Sequence, residues 1–570
     1  MGGFSGFIEK SGELNPDENI LNQMNAKIIH RGICDPVYSE DKNLVIFCDC
    51  GMYKAEEILS LYEKHGEKTP GMLRGAFSFV IYDKTARALY GARDHFGIKP
   101  FYYCPIPEKE LFIFGSEIKS LLPHPEYSRE LNKNALKIYL TFQYSALDET
   151  FFKNIRRLPP GCFFTYKNAE FKITRYFDIS YETAKKPFAE YCGIIDKTLR
   201  ESIKYYKADS TEIGSFLSGG VDSSFIASVS LPKKTFSVGF DREGFDESVL
   251  AGELAGMLKI ENYKKIISPD EFFDALPRVQ YLCDEPYANL SGVPLYFLAE
   301  LAAAHVKTAL SGEGADEFFS GYLPFAESRF VSFYEKLPFG LRKLIKNLIK
   351  PLPDFKGKAT LKKYGQKVED YYIGQAFIMD DSEANDILSE KYRSDLRFKD
   401  VTAPYFERVR DKSDLIKKSY LDLFLWLPGD ILLKGDRMAS AHNIEVRAPI
   451  LDKEVFSVSS KIPKKYLIKN KVTKYIFREV ANKYIPANWA KRKKLGFPVP
   501  FTFWLRERPY YEKLKEMFCG EFVSEFFVRE KLLAMLDEHF TGAKNNGRKL
   551  YTVYAFLIWY KIYFGEEKII

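Results

Sequence analysis

The sequence predicts an α/β protein whose two parts differ in pattern. Residues 1–180 contain short alternating strands separated by turns, such as 76–82 and 88–93, which is typical of layered β-sheets with a few helices. From residue 181 onward, apolar strands alternate with helical segments, which favours a doubly wound parallel sheet and a helical C-terminal part. We therefore predict two domains, residues 1–180 and residues 181–570.

The amino-acid composition limits the classes of protein to which this chain can belong. The chain has 570 residues, 46% of them hydrophobic, which is enough for large cores. Its net charge of +7 comes from 84 basic and 77 acidic residues, too even a balance to predict a nucleic-acid partner. The basic stretches 343–363 and 491–494 are interpreted as solvated faces rather than nucleic-acid sites, and a nucleotide-binding mouth could use either.

Cysteine usage and hydropathy indicate the cellular compartment of the protein. Eight scattered cysteines in a long chain favour reduced thiols. No apolar run reaches the ~20 residues that cross a bilayer. These observations predict a cytoplasmic protein that has no membrane partner. A homodimer and a separate partner protein stay open.

The most informative stretch is the polar loop 214–224. The apolar run 213–217 predicts a buried strand, and apolar residues at helical spacing follow Asp222. Backbone N–H groups at the start of a helix bind anions, and Gly219 and Gly220 let a phosphate approach the main chain. The predicted nucleotide-binding residues are Leu217, Ser218, Gly219, Gly220, Asp222, Ser223, Ser224, Val238, Gly239 and Gly312.

A second acidic loop, 311–317, follows the predicted strand 306–310. Parallel strands bring their carboxyl ends to one edge of a sheet, so both loops should open at the same place. Asp222 and Asp316 are therefore predicted to share a Mg²⁺ ion on the phosphates of ATP.

The loop Ser218-Gly-Gly-Val-Asp-Ser-Ser224 resembles the pyrophosphate loop of N-type ATP pyrophosphatases. That group includes asparagine synthetases, NAD synthetases, argininosuccinate synthetases and tRNA-thiolating enzymes. Further segments resemble the synthetase domain of asparagine synthetases, and the similarity covers nearly the whole chain from residue 213. These segments are 284–296, 311–322, 427–438, 445–452 and 491–500.

This resemblance implies roles for two further residues. Lys474 matches the lysine that lies over the α-phosphate, where negative charge gathers during adenylation. Glu313 matches a glutamate that orients the amine or takes its surplus proton. β-Lactam synthetases carry tyrosine at the Glu313 position, which argues against lactam closure. Gly435 departs from the valine usual in the family, at the acceptor pocket.

The N-terminal segments 30–32, 73–79, 92–103 and 115–120 resemble the glutaminase domain of class II glutamine amidotransferases, an N-terminal-nucleophile αββα sandwich. In that family the second residue is a cysteine nucleophile whose α-amine acts as base. Here Gly2 stands at that position, and Asp49 stands where an asparagine would help to hold the oxyanion. The chain between residues 30 and 73 is also shorter than in the family. We predict a retained domain without glutaminase activity; a substitute nucleophile such as Cys34 is the alternative. A separate glutaminase or biosynthetic partner stays open as the source of nitrogen.

The sequence thus predicts an ATP- and Mg²⁺-dependent ligase that adenylates a carboxylate, with aspartate as the first candidate, and joins it to ammonia or another amine. Two alternatives remain. One is a natural-product amide or lactam synthetase with other substrates on the same fold. The other is a non-catalytic partner protein that has lost both activities.

Overall fold

A computed structural model of the chain describes residues 2–208, 212–326, 329–353, 355–492 and 496–565. Met1 lies outside the described residues. So do residues 493–495, which include part of the basic stretch 491–494 and part of the motif 491–500.

The N-terminal part contains two antiparallel sheets, of strand order β1-β7-β6-β8 and β10-β9-β5-β4-β3-β2. Its strands are β1 (Ser5–Ile8), β2 (Val37–Tyr38), β3 (Leu44–Asp49), β4 (Ser78–Asp83), β5 (Ala88–Arg93), β6 (Tyr102–Ile106), β7 (Leu111–Gly115), β8 (Arg156–Arg157), β9 (Cys162–Lys167) and β10 (Glu170–Arg175). Its helices are α1 (Glu18–Ala26), α2 (Ala55–His65), α3 (Thr69–Met72), α4 (Ile118–Leu121) and α5 (Lys133–Phe142).

The two sheets pack face to face through aromatic side chains, because alternate residues of each strand point to the same face. The rings of Phe112 on β7 and Tyr166 on β9 stack with centroids 4.8 Å apart. The outer face of the larger sheet packs on Ile58 and Leu59 of α2. The outer face of the smaller sheet, including Ile113, packs against α4 and α5. This is the predicted αββα arrangement.

The second part is built on a parallel sheet of order β13-β12-β11-β14-β15. Its strands are β11 (Ile213–Phe216), β12 (Lys234–Phe240), β13 (Glu261–Ile267), β14 (Thr308–Leu310) and β15 (Glu445–Arg447). The strand order reverses direction at β11, and ligands bind at such a switch point, beyond the carboxyl ends of the strands.

Helices surround this sheet and form the C-terminal part. They are α6 (Phe188–Lys207), α7 (Val221–Ser230), α8 (Ser248–Leu258), α9 (Pro269–Cys283), α10 (Gly292–Ala303), α11 (Ala315–Phe318), α12 (Arg329–Tyr334), α13 (Phe339–Ile349), α14 (Lys358–Tyr364), α15 (Asp381–Ile387), α16 (Phe398–Arg408), α17 (Asp414–Leu421), α18 (Leu432–Ser440), α19 (Lys453–Ser459), α20 (Lys464–Leu467), α21 (Tyr475–Ala481), α22 (Ala487–Lys491), α23 (Phe501–Trp504), α24 (Arg508–Cys519), α25 (Val523–Phe526), α26 (Arg529–Phe540) and α27 (Gly547–Phe564). A π-helical stretch, Asp422–Ile431, joins α17 to α18.

The predicted fold class is confirmed: an αββα sandwich precedes a parallel α/β sheet with a helical C-terminal part. The division at residues 180 and 181 falls between β10 and α6 and stays a prediction. Across the described ranges, the structure contains no helix that combines the length and apolar character needed to cross a bilayer.

Candidate active site

The predicted phosphate loop lies between β11 and α7, at the carboxyl edge of the parallel sheet. Gly219 has a φ of +72°, and a Cβ at this position would lie 2.9 Å from the Cβ of Leu250. Within the loop, the backbone N–H of Ser218 donates to the Ser223 hydroxyl across 3.1 Å. The loop therefore needs glycine for its turn, and it presents backbone and hydroxyl groups at the start of a helix, where anions bind.

The second acidic loop touches the first. A Cβ on Gly312 would lie 2.8 Å from the backbone nitrogen of Ser223 and 2.9 Å from the carbonyl carbon of Asp222. Only glycine permits two backbones to approach this closely. The predicted meeting of the two loops at one sheet edge is thus present in the structure.

Lys474 joins the carboxylates of the two loops. Its Nζ donates to Oδ2 of Asp222 across 2.6 Å and lies 2.8 Å from Oδ1 of Asp316. Burial alone would lower the pKa of Lys474, but the two neighbouring carboxylates raise it above its ordinary value, so the side chain is a fixed cation. Lys474 also has a φ of +53°, an uncommon conformation for a residue with a side chain and one that often marks functional sites.

Gly321 leaves room for this ion-pair cluster. A Cβ at that position would lie 2.0 Å from Oδ1 of Asp316 and 2.0 Å from Cε of Lys474. The backbone after the acidic loop therefore passes directly against the ion pair, and a larger residue would displace it.

The two carboxylates suit the predicted Mg²⁺. Their oxygens are hard donors that lie within hydrogen-bond distance of a single ammonium group, so they are already close together. Mg²⁺ on a nucleotide commonly uses one or two protein carboxylates and takes its other ligands from phosphates and water. The donor set of Asp222 and Asp316 fits this ion.

Glu313 lies at the other end of the site. Burial raises the pKa of its carboxyl from 4.5 to about 7, although the nearby Lys434 ammonium acts in the opposite direction. Lys434 itself donates to the Ser291 hydroxyl across 2.7 Å. A Cβ on Gly435 would lie 3.3 Å from Oε2 of Glu313, so the glycine leaves the helix backbone bare beside this carboxylate.

A cavity of about 400 Å³ connects these groups. Of the predicted site residues, those lining it are Leu217, Ser218, Gly220, Asp222, Ser223, Val238, Gly312, Glu313, Asp316 and Lys474. Three predicted residues do not line it. Gly219 faces Leu250, Ser224 is buried within α7, and Gly239 on β12 lies against Asp246.

The cavity also has lining residues that the sequence did not single out, among them Trp426, Lys434, Arg478 and Arg492. Arg492 donates to the carbonyl oxygen of Gly219 across 3.3 Å and so reaches the phosphate loop. The sequence feature that pointed to Arg492 was the basic stretch 491–494, which a nucleotide-binding mouth could use. Trp426 lies in the π-helix, a feature often found at functional sites, which sequence periodicity does not reveal.

In the N-terminal part, Gly2 and Cys34 lie directly against each other. A Cβ on Gly2 would lie 2.1 Å from Sγ of Cys34, so the Cys34 thiol fills the space of a side chain at position 2. That thiol donates to the carbonyl oxygen of Cys48 across 2.6 Å. Burial, with the added effect of the Asp49 charge, raises the pKa of Cys34 to about 12, which keeps the thiol protonated and weakly nucleophilic.

Asp49 belongs to a buried ionic network that connects the two parts of the chain. Nη2 of Arg31 donates to Asp49 across 2.7 Å, and Lys99 lies 2.8 Å from the same carboxylate. Arg31 also pairs with Asp436 of α18 through two bonds of 2.7 and 2.9 Å. On the same helix, Arg437 lies 2.6 Å from Glu117.

Comparisons with known proteins identify the family of the chain. The family model "Asparagine synthase" matches residues 195–561, more than half of the chain, and "Glutamine amidotransferase domain" matches residues 52–177. Asparagine synthetase 1 of Bacillus subtilis (strain 168), described as glutamine-hydrolyzing, is 34% identical over 616 aligned residues, which cover 99% of this chain and 97% of that protein.

Two further relatives align with a smaller share of this chain. A putative glutamine-hydrolyzing asparagine synthetase of Mycobacterium tuberculosis (strain ATCC 25618 / H37Rv) is 35% identical over 89% of this chain and 79% of its own length. Amidase chyE of Penicillium rubens is 25% identical over 87% of this chain and 80% of its own. Among solved structures, an NH3-dependent NAD synthetase from Campylobacter jejuni aligns with 32% of this chain and 94% of its own, at 16% identity and a TM-score of 0.18.

The resemblance predicted from the motifs is confirmed by the family models and by the full-length match, and with it the class of enzyme. The chain belongs to the asparagine synthase family, whose members are ATP-dependent carbon–nitrogen ligases.

Proposed function

We propose that this protein is an AMP-forming amide ligase that adenylates a carboxylate, with aspartate as the first candidate, and then transfers ammonia or another amine to it. We further propose that it does not obtain this nitrogen by hydrolysing glutamine itself. The observation that carries the proposal is Lys474, held between Asp222 and Asp316 beside the phosphate loop.

In the first step, a carboxylate oxygen of the acid substrate attacks the α-phosphorus of ATP. The bond from that phosphorus to the bridging oxygen breaks, and pyrophosphate leaves with the electron pair. Lys474 supplies a fixed positive charge where negative charge develops, and the N–H groups at the start of α7 hold the phosphates. A Mg²⁺ ion held by Asp222 and Asp316 would neutralise charge on the departing pyrophosphate.

In the second step, the amine nitrogen attacks the acyl carbon, and AMP leaves with the electrons of the carbon–oxygen bond. The attacking nitrogen must lose a proton. We assign this proton to Glu313, whose pKa of about 7 suits a base that works near neutral pH. The adjacent Lys434 and Ser291 provide polar groups that can orient the acid substrate.

Three features support the loss of glutaminase activity. Gly2 carries no nucleophile, and the Cys34 thiol fills the adjoining space. The Asp49 carboxylate forms ion pairs with Arg31 and Lys99, and its negative charge would repel an oxyanion. Nitrogen therefore has to come from free ammonia, another amine or a separate protein.

The test is acid-dependent exchange of pyrophosphate into ATP by the purified protein, with a panel of acids led by aspartate. Exchange that needs one acid and fails in Asp222→Asn supports the ligase. Amines are then scored by amide formation with that acid. A folded protein that shows no exchange with any acid, while binding ATP normally, would instead favour the non-catalytic partner.

The space beside Gly435 favours a second candidate with the same chemistry and different substrates. A valine at this position would press on the Glu313 carboxylate, whereas glycine does not. This difference falls where the amine and the acyl group must meet. Turnover of a bulky acid or amine in preference to aspartate and ammonia would identify a natural-product amide synthetase.

A further inference from the structure

An apolar stripe faces solvent on α13 and continues beyond it. Leu341, Leu344 and Leu348 are 43%, 54% and 64% exposed, and their spacing of three and four residues places them on one side of the helix. Leu352 and Phe355 continue the exposed apolar surface along the chain. Single exposed leucines are ordinary, but a continuous stripe marks an interaction surface.

The opposite side of α13 is fixed to the protein by polar contacts. Arg342 donates to the carbonyl oxygen of Tyr364 across 2.8 Å, and Lys346 donates to the Gln366 side chain across 2.9 Å. A helix on a globular protein normally turns its apolar side inward. Here the polar contacts hold the leucines outward, so their exposure is part of the packing of α13.

The same region is strongly basic. Residues 329–365, which we name the basic segment, contain ten Lys or Arg and two Asp or Glu. Lys343 and Lys350 at α13 are exposed as well. Phe330 and Phe333 of α12, in the same segment, are 53% and 66% exposed. Exposed leucine and phenylalanine combined with lysine are features of helices that lie in the headgroup region of a membrane.

We propose that the basic segment docks this protein on an anionic lipid surface. The leucines and phenylalanines would enter the boundary between headgroups and acyl chains, while the lysines contact the lipid phosphates. This proposal departs from the prediction of no membrane partner, because docking on a lipid surface needs no segment that spans the bilayer.

Charge distinguishes the lipid surface from a second copy of the chain. In a twofold dimer through this face, each basic segment would meet its own copy, and like charges would repel. An anionic bilayer complements both the charge and the apolar stripe.

The test is sedimentation of the purified full-length protein with vesicles of phosphatidylcholine alone or of phosphatidylcholine mixed with phosphatidylglycerol. We expect binding to the mixed vesicles that weakens with added salt, and little binding to the neutral ones. Leu344→Ser/Leu348→Ser and Lys343→Glu/Lys350→Glu should each weaken binding by at least about tenfold. Absence of wild-type binding to mixed vesicles at low salt would overturn the proposal.

Matched controls change the same residue types elsewhere. Leu231→Ser/Met257→Ser removes two exposed apolar side chains, and Lys64→Glu/Lys133→Glu reverses two exposed charges. Both should bind like the wild type; weakening equal to that of the test variants would show nonspecific adsorption and refute the assignment. A monomer–dimer shift lost in Leu344→Ser/Leu348→Ser would assign the surface to a second copy. Retention on polyglutamate without vesicle binding would assign it to an acidic protein.

Discussion

The Cys34 thiol occupies the space next to Gly2 in which a side chain at position 2 would begin, since a Cβ placed there would lie 2.1 Å from Sγ of Cys34. A side chain introduced at position 2 would therefore require the Cys34 thiol to move.

We predict that Gly2→Cys destabilises the protein and produces no glutaminase activity. In Gly2→Cys/Cys34→Ala the clash is relieved, because the Cβ of residue 34 would lie 3.6 Å from the new Cβ. Thermal unfolding should show a lower midpoint in the single variant and recovery in the double variant. Glutamate release from glutamine should be absent in both, since Asp49 remains where an oxyanion would form. Sustained glutamate release by either variant would show that the pocket still functions.

We predict that Asp222→Asn and Lys474→Ala each lower acid-dependent ATP–pyrophosphate exchange, on the order of 10²–10³-fold. Lys474→Ala should also lower the unfolding midpoint, because it leaves Asp222 and Asp316 without their buried cation. Lys471→Ala, at an exposed lysine three residues earlier, is the matched control and should leave both quantities unchanged. Normal exchange in folded Lys474→Ala would refute its role.

The pKa of Glu313 predicts a pH dependence of amide formation. A carboxyl whose pKa is raised to about 7 is protonated below that pH and becomes a base above it. With saturating ATP and acid, the rate should rise through pH 7, and Glu313→Gln should remove this inflection while keeping the steady increase that comes from deprotonating the amine. Pyrophosphate exchange, which needs no amine, should lack the inflection. An unchanged pH profile in Glu313→Gln would exclude it as the base.

Substitution of Gly435 should affect the second step selectively. A Cβ would lie 3.3 Å from Oε2 of Glu313, so Gly435→Ala should displace the carboxylate slightly and Gly435→Val more. We expect amide formation to fall in that order, with pyrophosphate exchange little changed. Equal activity of all three proteins toward every amine would show that this space has no influence on the acceptor.

Removing Arg31 should cost stability. Arg31→Met leaves the carboxylates of Asp49 and Asp436 without a shared partner in a buried network, and breaking such a network costs about 3–5 kcal/mol. Arg410→Met, at an arginine whose side chain is 76% exposed, is the control and should change the free energy of unfolding by less than about 0.5 kcal/mol. Denaturant titration of both variants provides the measurement.

Local signals in the sequence predicted the phosphate loop well. The apolar run before Ser218 and the glycines after it predict a strand, a turn and a helix, and each of these depends on neighbouring residues. The contact between Gly312 and Asp222 could also be predicted from the sequence, because both loops follow parallel strands.

Other parts of the site depend on tertiary packing. Arg492 reaches Gly219, which is 273 residues away in the chain, and Arg31 meets Asp436 across 405 residues. No spacing rule connects such pairs. The side of α13 that is turned to solvent follows from its contacts with Tyr364 and Gln366. The sequence also could not show that Cys34 fills the space beside Gly2.

The ion pairs between Arg31 and Asp436 have an evolutionary consequence. A domain that has lost its chemistry can usually be trimmed away by deletion, because nothing else depends on it. Deletion of the N-terminal part would leave Asp436 of α18 without Arg31. On the proposed loss of glutaminase activity, the N-terminal part would be retained as a cofolding partner of the ligase part, free to change at position 2 but not at Arg31.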